Sequence, residues 1–306
     1  MANSTLLTLV QQSLQGMGVV AYGLPSTVIS NTNQDVVQTL ALVNIEGNAL
    51  AREYDWNALR IQNVFQSEFY SYTGDTTSGS TSLTNMSSIA SLDATFQVTG
   101  TNLPQDSTVV SASGTTVVIN QEATATATTS TFTFSKVRYA VPTAWDRPVD
   151  RTQWVKSDHW EMLGPETPQQ QEWLRSGYIS SGPRIRYWMM GGYFQIWPPL
   201  GTEETLSYEY FSKYWIFATA AANTSKQYFT VDTDTCVFPD SLMHALIRLK
   251  YFEVKGFDTT ALYRDYLNQK DLAKSHDGGS PMLSMAPQLS SVLIGWENIP
   301  DSGFGT

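Results

Sequence analysis

The sequence contains a single cysteine, Cys236, and few basic residues. One cysteine cannot form an internal disulfide, so we expect a fold that does not depend on an oxidising compartment. Lysine and arginine total 18 against 28 aspartate and glutamate, which gives a formal net charge of −10. Proteins that hold nucleic acid by neutralising phosphates need clustered basic side chains, so this charge balance argues against that class.

Long hydrophobic runs are also missing. No apolar segment approaches the roughly 20 residues that span a bilayer. The first residues, 1–7 (MANSTLL), lack the basic start that is typical of a signal peptide. We therefore expect synthesis in the cytoplasm and no membrane partner.

The sequence has few histidines and no recognised catalytic motif. His159, His244 and His276 stand far apart, and none is at metal-ligand spacing from Cys236. Neither a G-x-S-x-G elbow nor a P-loop occurs, so nothing indicates a hydrolase serine or nucleotide hydrolysis. We predict no enzymatic activity, no metal and no cofactor.

Two acidic clusters leave other interpretations open. Residues 232–234 (DTD) could bind a cation, but Val237 and Met243 stand where a calcium loop of the EF-hand type needs glycine and glutamate. We expect an acidic turn before a helix instead. Glu203 and Glu204 lie near several tryptophans in the sequence and could imitate a glycosidase cleft, in which two carboxylates flank a sugar. A glycosidase would lose turnover in a Glu203→Gln variant.

Lysine, arginine, histidine and tryptophan are all absent between Arg60 and Lys136. Most of this gap is rich in serine and threonine, and strand-like runs alternate with turn residues inside it. Such a break in composition indicates an inserted module. We predict a main body of helices and sheet in 1–74 and 135–278, a small inserted β domain in 75–134, and an extended C-terminal docking tail in 279–306.

The flanks of the gap combine helical and strand patterns. Apolar residues recur at three- and four-residue steps before Gly18, between Asn33 and Tyr54, and after Pro239. Residues 184–217 are instead rich in β-branched and aromatic side chains. We predict the α+β class, with a helical body of antiparallel helices from both termini, a β-sheet or hairpin element and the small all-β inserted domain.

Aromatic residues are dense in the strand-like segments from residue 184 to residue 217. Aromatic rings supply large contact area at interfaces and also fill the cores of sheets, so a contact surface and a sheet core are both open interpretations. The candidate contact residues are Trp188, Tyr193, Trp197 and Trp215.

The tail after Asp277 mixes glycine, proline and serine with large apolar side chains. Apolar residues in an irregular tail indicate docking on a partner, or a tail that covers its own domain. The candidate docking residues are Leu283, Leu293, Ile294, Trp296 and Phe304.

Three stretches of the flanks, in this order, resemble the head-to-tail adaptor (connector, or head completion) proteins of tailed bacteriophages. They are 139–147 (YAVPTAWDR), then 194–199 (FQIWPP) with 206–210 (LSYEY), then 232–234 (DTD) leading to 238–240 (FPD). The gap itself is similar to small Ser/Thr-rich β modules of phage structural proteins, through 98–104 (VTGTNLP) and 113–117 (SGTTV).

The resemblance implies a non-enzymatic virion protein located at the neck between head and tail, and in the host cytoplasm during assembly. In that family the subunits form a ring, usually of twelve, that binds the portal protein and extends the DNA channel. The implied partners are the portal, downstream tail proteins such as a nozzle, tail tube or fibre, and further copies of the chain. Genomic DNA would pass through without specific binding. The alternative is a carbohydrate-binding tail appendage that recognises a receptor through exposed aromatic residues.

Overall fold

The computed structural model describes residues 3–19, 23–176, 184–219 and 223–278. Within these ranges the chain forms 17 strands in five sheets, five α-helices and one short 3-10 helix, Asn57–Leu59. The helices are α1 (Leu6–Met17), α2 (Gln34–Glu53), α3 (Pro168–Arg175), α4 (Asp240–Val254) and α5 (Thr260–Gly278).

The strands pair in antiparallel ladders. They are β1 (Arg60–Gln66), β2 (Phe69–Thr76), β3 (Ser82–Leu83), β4 (Phe96–Gly100), β5 (Val109–Ser113), β6 (Thr116–Ile119), β7 (Ala127–Lys136), β8 (Arg138–Ala140), β9 (Trp145–Pro148), β10 (Trp154–Val155), β11 (Trp160–Glu161), β12 (Arg186–Met190), β13 (Tyr193–Trp197), β14 (Thr205–Ser212), β15 (Ile216–Phe217), β16 (Thr224–Lys226) and β17 (Thr235–Cys236).

The predicted fold class, a helical body of antiparallel helices from both termini, is wrong. The described chain is sheet-rich, and β9 to β11, β16 and β17 lie in parts of the flanks where no strand was predicted. Each of these strands has only two to four residues. Strands this short offer too few positions for a period of two to be recognised, so the longer helical patterns dominated the prediction.

The predicted helix ends correspond to observed caps. Gly18 ends α1 in the left-handed conformation, with φ of 72°, where glycine has no steric cost. Asn33 caps α2 by accepting a 2.9 Å hydrogen bond from the Asp35 amide. Thr167 and Gln170 form a capping box at α3. These local signals are confirmed because each depends only on residues within one turn.

A five-stranded sheet contains β1, β14, β10 and β11 in that order, and β9 pairs with the other end of β14. The ladder between β1 and β14 runs from Arg60 opposite Phe211 to Gln66 opposite Thr205. Residues of β1 alternate between exposed and half-buried. One face of this sheet therefore packs on a core while the other faces outward.

The inward face of that sheet packs against a second sheet, in which β13 lies between β12 and β8. The contact is largely aromatic: the ring of Phe194 stacks on Tyr208 at 4.8 Å between centroids, and Phe65 lies 4.7 Å from Tyr139. The two sheets thus share one hydrophobic core.

Strands β2 to β7 form two small sheets of the Ser/Thr-rich stretch, in the orders β2-β7-β4 and β3-β6-β5. Their core is built from residues of the same stretch, including Val98, Phe132 and Phe134. The ladder between β2 and β7 begins at Phe69 opposite Ser135, so the pairing of these two strands starts before residue 75. The division of the chain into domains at residues 75 and 134 stays a prediction.

Helices α1, α2, α4 and α5 share a further core with the sheet of β16, β15 and β17. Trp215 is fully buried there, and its ring contacts Phe229 edge-on at 5.3 Å between centroids. A Cβ on Gly47 would lie 2.6 Å from Cζ2 of Trp215, so only glycine lets α2 approach this ring. None of the helices in the described ranges is long and apolar enough to cross a membrane.

Candidate functional site

The first two stretches that carry the adaptor resemblance are hydrogen-bonded to each other. Residues 139–147 include most of β8 and the first part of β9, and the second stretch supplies β13 and β14. Strand β8 pairs with β13, and β9 pairs with β14. Patterns that lie about 50 residues apart in the sequence are therefore adjacent in the fold.

Asp146 and Arg147 connect this sheet to the end of α2. Arg147 donates to the Asp55 carboxylate at 2.6 Å, and its guanidinium lies 4.8 Å from the ring centroid of Phe211. Asp146 accepts from Arg52 at 2.8 Å. The charged pair of the first stretch thus fixes the position of α2 relative to the five-stranded sheet.

The acidic stretch 232–240 holds segments from the N-terminal part of the chain. Asp232 accepts hydrogen bonds from the amides of Val28 and Ile29 at 3.1 and 3.0 Å. Asp240 accepts from the amide of Ser4 at 3.1 Å and from its hydroxyl at 2.6 Å. These carboxylates are acceptors for the backbone and a hydroxyl, which agrees with the predicted acidic turn.

Asp234 is the most buried of these carboxylates, with 0 % of its surface exposed. Both of its oxygens lie 2.9 Å from the ammonium of Lys226, and one also accepts from the amides of Thr230 and Val231. A buried carboxylate needs such partners because an unpaired charge in the interior is costly. Asp234 therefore organises the loop that leads to α4.

The four predicted contact aromatics lie in different surroundings. Trp215 is fully buried in the helical core, and Trp188 and Trp197 are each 5 % exposed in a small cluster with Leu174 of α3. Tyr193 is 37 % exposed at the start of β13. Burial of the three tryptophans favours the sheet-core interpretation, and a contact role for the four residues stays a prediction.

The cluster of Trp188 and Trp197 lies next to the Ser/Thr-rich stretch. Arg175, at the end of α3, forms a 2.9 Å ion pair with Asp106 of that stretch. Asp106 has a positive φ of 60°, a backbone conformation that non-glycine residues adopt at a cost. The ion pair therefore gives the Ser/Thr-rich stretch a contact with α3, in addition to its connections through β2 and β7.

The predicted docking residues of the tail, Leu283, Leu293, Ile294, Trp296 and Phe304, lie outside the described residues. The last described helix, α5, reaches Gly278. The carboxylate of Asp277 accepts from the backbone amides of Asn57 and Ala58 at 2.6 and 3.0 Å. The tail therefore leaves the described chain close to the end of α2.

The sequence analysis missed an exposed apolar stripe on α2. Val37 and Ile45 are 47 % and 64 % exposed, and Ala41 and Ala49 are exposed on the same side. Four-residue spacing places them along one face of the helix. A second helical series, Val36, Val43 and Leu50, is buried in the core. The signal was present as two apolar series on one helix, but only the series that packs inward was recognised.

The single cysteine and the partly buried histidine have structural surroundings. Burial raises the pKa of the Cys236 thiol to about 12, so it stays protonated at neutral pH. Desolvation lowers the pKa of His244, whose imidazole contacts the Ser13 hydroxyl at 2.8 Å. No cluster of three His, Cys, Asp or Glu side chains in the described ranges could hold a metal ion.

Comparison of the whole sequence with protein-family models and with curated proteins finds no match.

Proposed function

We propose that the chain is a structural protein of a phage virion, a head-to-tail adaptor subunit that assembles into a ring between portal and tail. Its location would be the neck of the virion, after assembly in the host cytoplasm. The ring would extend the DNA channel, and its subunit number would be twelve, as is usual in the family that the chain resembles. Support comes from the three stretches of resemblance, two of which lie together in the paired sheets.

The observation that carries the proposal is the exposed stripe of Val37, Ala41, Ile45 and Ala49 on α2. A surface helix normally presents polar residues to solvent, and an apolar outer face indicates a partner. At 1.5 Å per residue, the 20-residue helix is about 30 Å long, which is long enough for a subunit contact.

Charge favours a second copy of the chain as the occupant of this stripe. Each copy carries a formal charge of −10, so two copies repel unless they meet through an uncharged patch. The stripe from Val37 to Ala49 has no charged residue, and at its end Arg52 pairs with Asp146 at 2.8 Å and Glu53 pairs with Lys270. Neighbouring subunits can therefore meet along α2 without bringing acidic groups together.

The same acidity suits a channel for DNA. Phosphates are repelled by carboxylates, so an acidic lining would let the genome pass, whereas a basic lining would hold it. Portal binding is assigned to the tail after residue 278, which leaves the described chain close to α2. Ring contacts and portal contacts would then use separate segments of the protein.

The proposal is tested with purified protein, alone and mixed with its candidate portal, by light scattering and negative-stain imaging. We expect rings, either alone or on the portal. Ile45→Glu places a carboxylate on the stripe and should abolish ring formation without lowering the melting temperature of the monomer. Val110→Glu is the matched control, because Val110 is also exposed, at 55 %, but lies on β5.

Truncation after residue 278 separates the two contacts. If the intact chain forms rings alone, the truncated chain should form them too, but it should no longer bind the portal. The proposal is wrong if the intact chain stays monomeric with and without the portal, or if Ile45→Glu forms rings as well as Val110→Glu does.

A further inference from the structure

The outward face of the five-stranded sheet carries an open groove of about 810 Å³. Sites for small ligands commonly have volumes of about 300 to 1,000 Å³. The groove lies over β1, β14 and β10 and over the loops on either side of β10. Its lining residues are Gln62, Arg151, Thr152, Trp154, Lys156, His159, Ser207 and Glu209.

Strand register brings the floor of the groove together. Gln62 of β1 is directly opposite Glu209 of β14, and Trp154 of β10 is opposite Ser207. Alternate residues of β14, such as Tyr208, are buried in the aromatic core. The floor therefore combines one indole ring with amide, hydroxyl and carboxylate groups, all of them side chains that point away from the core.

The rim of the groove is basic, although the whole chain is acidic. The side chains of Arg151, Lys156 and His159 make no hydrogen bond or ion pair with any other described residue, and all three residues are exposed. Glu209, which supplies a carboxylate to the lining, is paired with Arg60 at 2.9 Å. The lining thus includes two cationic side chains, Arg151 and Lys156, that form no ion pair with a carboxylate among the described residues.

Two of these rim residues have unusual backbone conformations. Arg151 and His159 have positive φ angles of 60° and 58°, in the left-handed region that disfavours side chains with a Cβ. Such strain recurs at ligand-binding sites. The loops on both sides of β10 therefore turn sharply at the two residues that place a basic side chain at the rim.

We propose that this groove binds an acidic saccharide. The indole of Trp154 offers a flat apolar surface to the face of a sugar ring, while the amide of Gln62 can bond to sugar hydroxyls. Arg151 and Lys156 then pair with the carboxylate of a uronic acid unit.

A saccharide fits this groove better than an acidic peptide does. Extended peptides are recognised through backbone hydrogen bonds along an open strand edge. Here the groove lies over the face of a sheet, and its central strand, β14, is hydrogen-bonded on both sides. Recognition must therefore come from side chains. This site is separate from the stripe on α2, and its ligand binding requires neither the ring nor the portal.

The test is calorimetric titration of the intact protein with tetragalacturonic acid, with its methyl ester and with hexaglutamate. We expect binding of tetragalacturonic acid that weakens as salt is added. The methyl ester should bind more weakly, because it keeps the sugar rings but loses the charges. Hexaglutamate should not bind at the same concentrations.

Variants locate the site. Trp154→Ala removes a stacking contact and should weaken binding of tetragalacturonic acid about tenfold. Arg151→Gln removes an ionic contact and should weaken binding several-fold. Trp173→Ala and Arg264→Gln are matched controls outside the groove and should leave binding unchanged. Arg151 is exposed, so its variant tests the site even if Trp154→Ala fails to fold.

Three results would overturn the proposal. The first is the absence of binding of tetragalacturonic acid at millimolar concentration. The second is hexaglutamate binding as tightly as the saccharide, which would make the groove a site for acidic peptides. The third is binding that neither Trp154→Ala nor Arg151→Gln weakens, which would place the saccharide elsewhere on the protein.

Discussion

Gly47→Ala should destabilise the protein, although alanine forms helices better than glycine does. Gly47 lies inside α2 and faces the helical core, where Trp215 packs against it. A Cβ at position 47 would lie 2.6 Å from Cζ2 and 2.9 Å from Cζ3 of this ring, and closer still to Cη2. Ordinary contacts between such carbon atoms are about 3.5 to 4.0 Å, so the ring or the helix must move by roughly 1 Å.

Two opposing terms set the size of the effect. Replacing glycine by alanine inside a helix gains about 1 kcal/mol of stability. Extra volume in a packed core costs about 1 to 3 kcal/mol, occasionally more. The higher end applies, because Trp215 is fully buried and its ring lies 5.3 and 5.7 Å from the rings of Phe229 and Phe238. We expect a net loss of about 2 kcal/mol in the free energy of unfolding.

Gly16→Ala in α1 is the matched control. No atom lies within 4 Å of a Cβ built at position 16, and this residue is exposed near the end of its helix. The same substitution should therefore stabilise the protein there, by about 0.5 kcal/mol. The two glycine variants are expected to shift stability in opposite directions.

Urea unfolding, followed by circular dichroism, measures both variants. A double-mutant cycle with Trp215→Phe then tests the cause, since phenylalanine lacks the part of the indole that meets the new methyl group. Gly47→Ala should cost about 1 kcal/mol less in the Trp215→Phe background. If Gly47→Ala were as stable as Gly16→Ala, or if its cost did not change in that background, the packing argument would be refuted.

Two further predictions concern buried polar groups. Asp234→Asn should lower the free energy of unfolding by roughly 3 kcal/mol, measured in the same urea assay. This is the lower end for a broken buried ion pair, because Lys226 is a quarter exposed and can reach water. The control Glu253→Gln changes a surface residue and should lower it by less than about 1 kcal/mol. His244 has a lowered pKa from desolvation, so its neutral form contributes stability that is fully present above about pH 6.5 and lost as the pH falls below it. His244→Gln should therefore lose less stability than the wild type between pH 7 and pH 5.5, and an equal loss in both proteins would contradict this assignment.

The helix ends show how far local patterns reach. The cap at Asn33, the turn at Gly18 and the capping box at Thr167 were predictable because each uses residues a few positions apart. The position of β10 was not predictable. Trp154 and Val155 form a strand because Ser207 and Leu206 lie beside them, and these residues are about 50 positions away in the chain. A ladder between distant segments leaves no periodic signal in a strand of two residues.

The candidate surfaces differ in the same way. The tryptophans after residue 184 were recognisable as contact or core residues, but their density could not distinguish the two. The stripe on α2 was present in the sequence, yet nothing local distinguishes Val37 from its buried neighbour Val36. The groove at Trp154 was not anticipated, because its lining comes from β1, β10 and β14 and from the adjoining loops.

The sequence by itself determined the charge of the protein, the glycine and capping residues that end the helices, and the composition of the Ser/Thr-rich stretch. These depend on residue identity and on interactions within a turn or two of the chain. The tertiary structure alone decided which apolar series of α2 is buried, which strands share a sheet, and which basic side chains line one groove. Burial and sheet pairing depend on segments that are distant in the sequence, so they become defined only when the chain has folded.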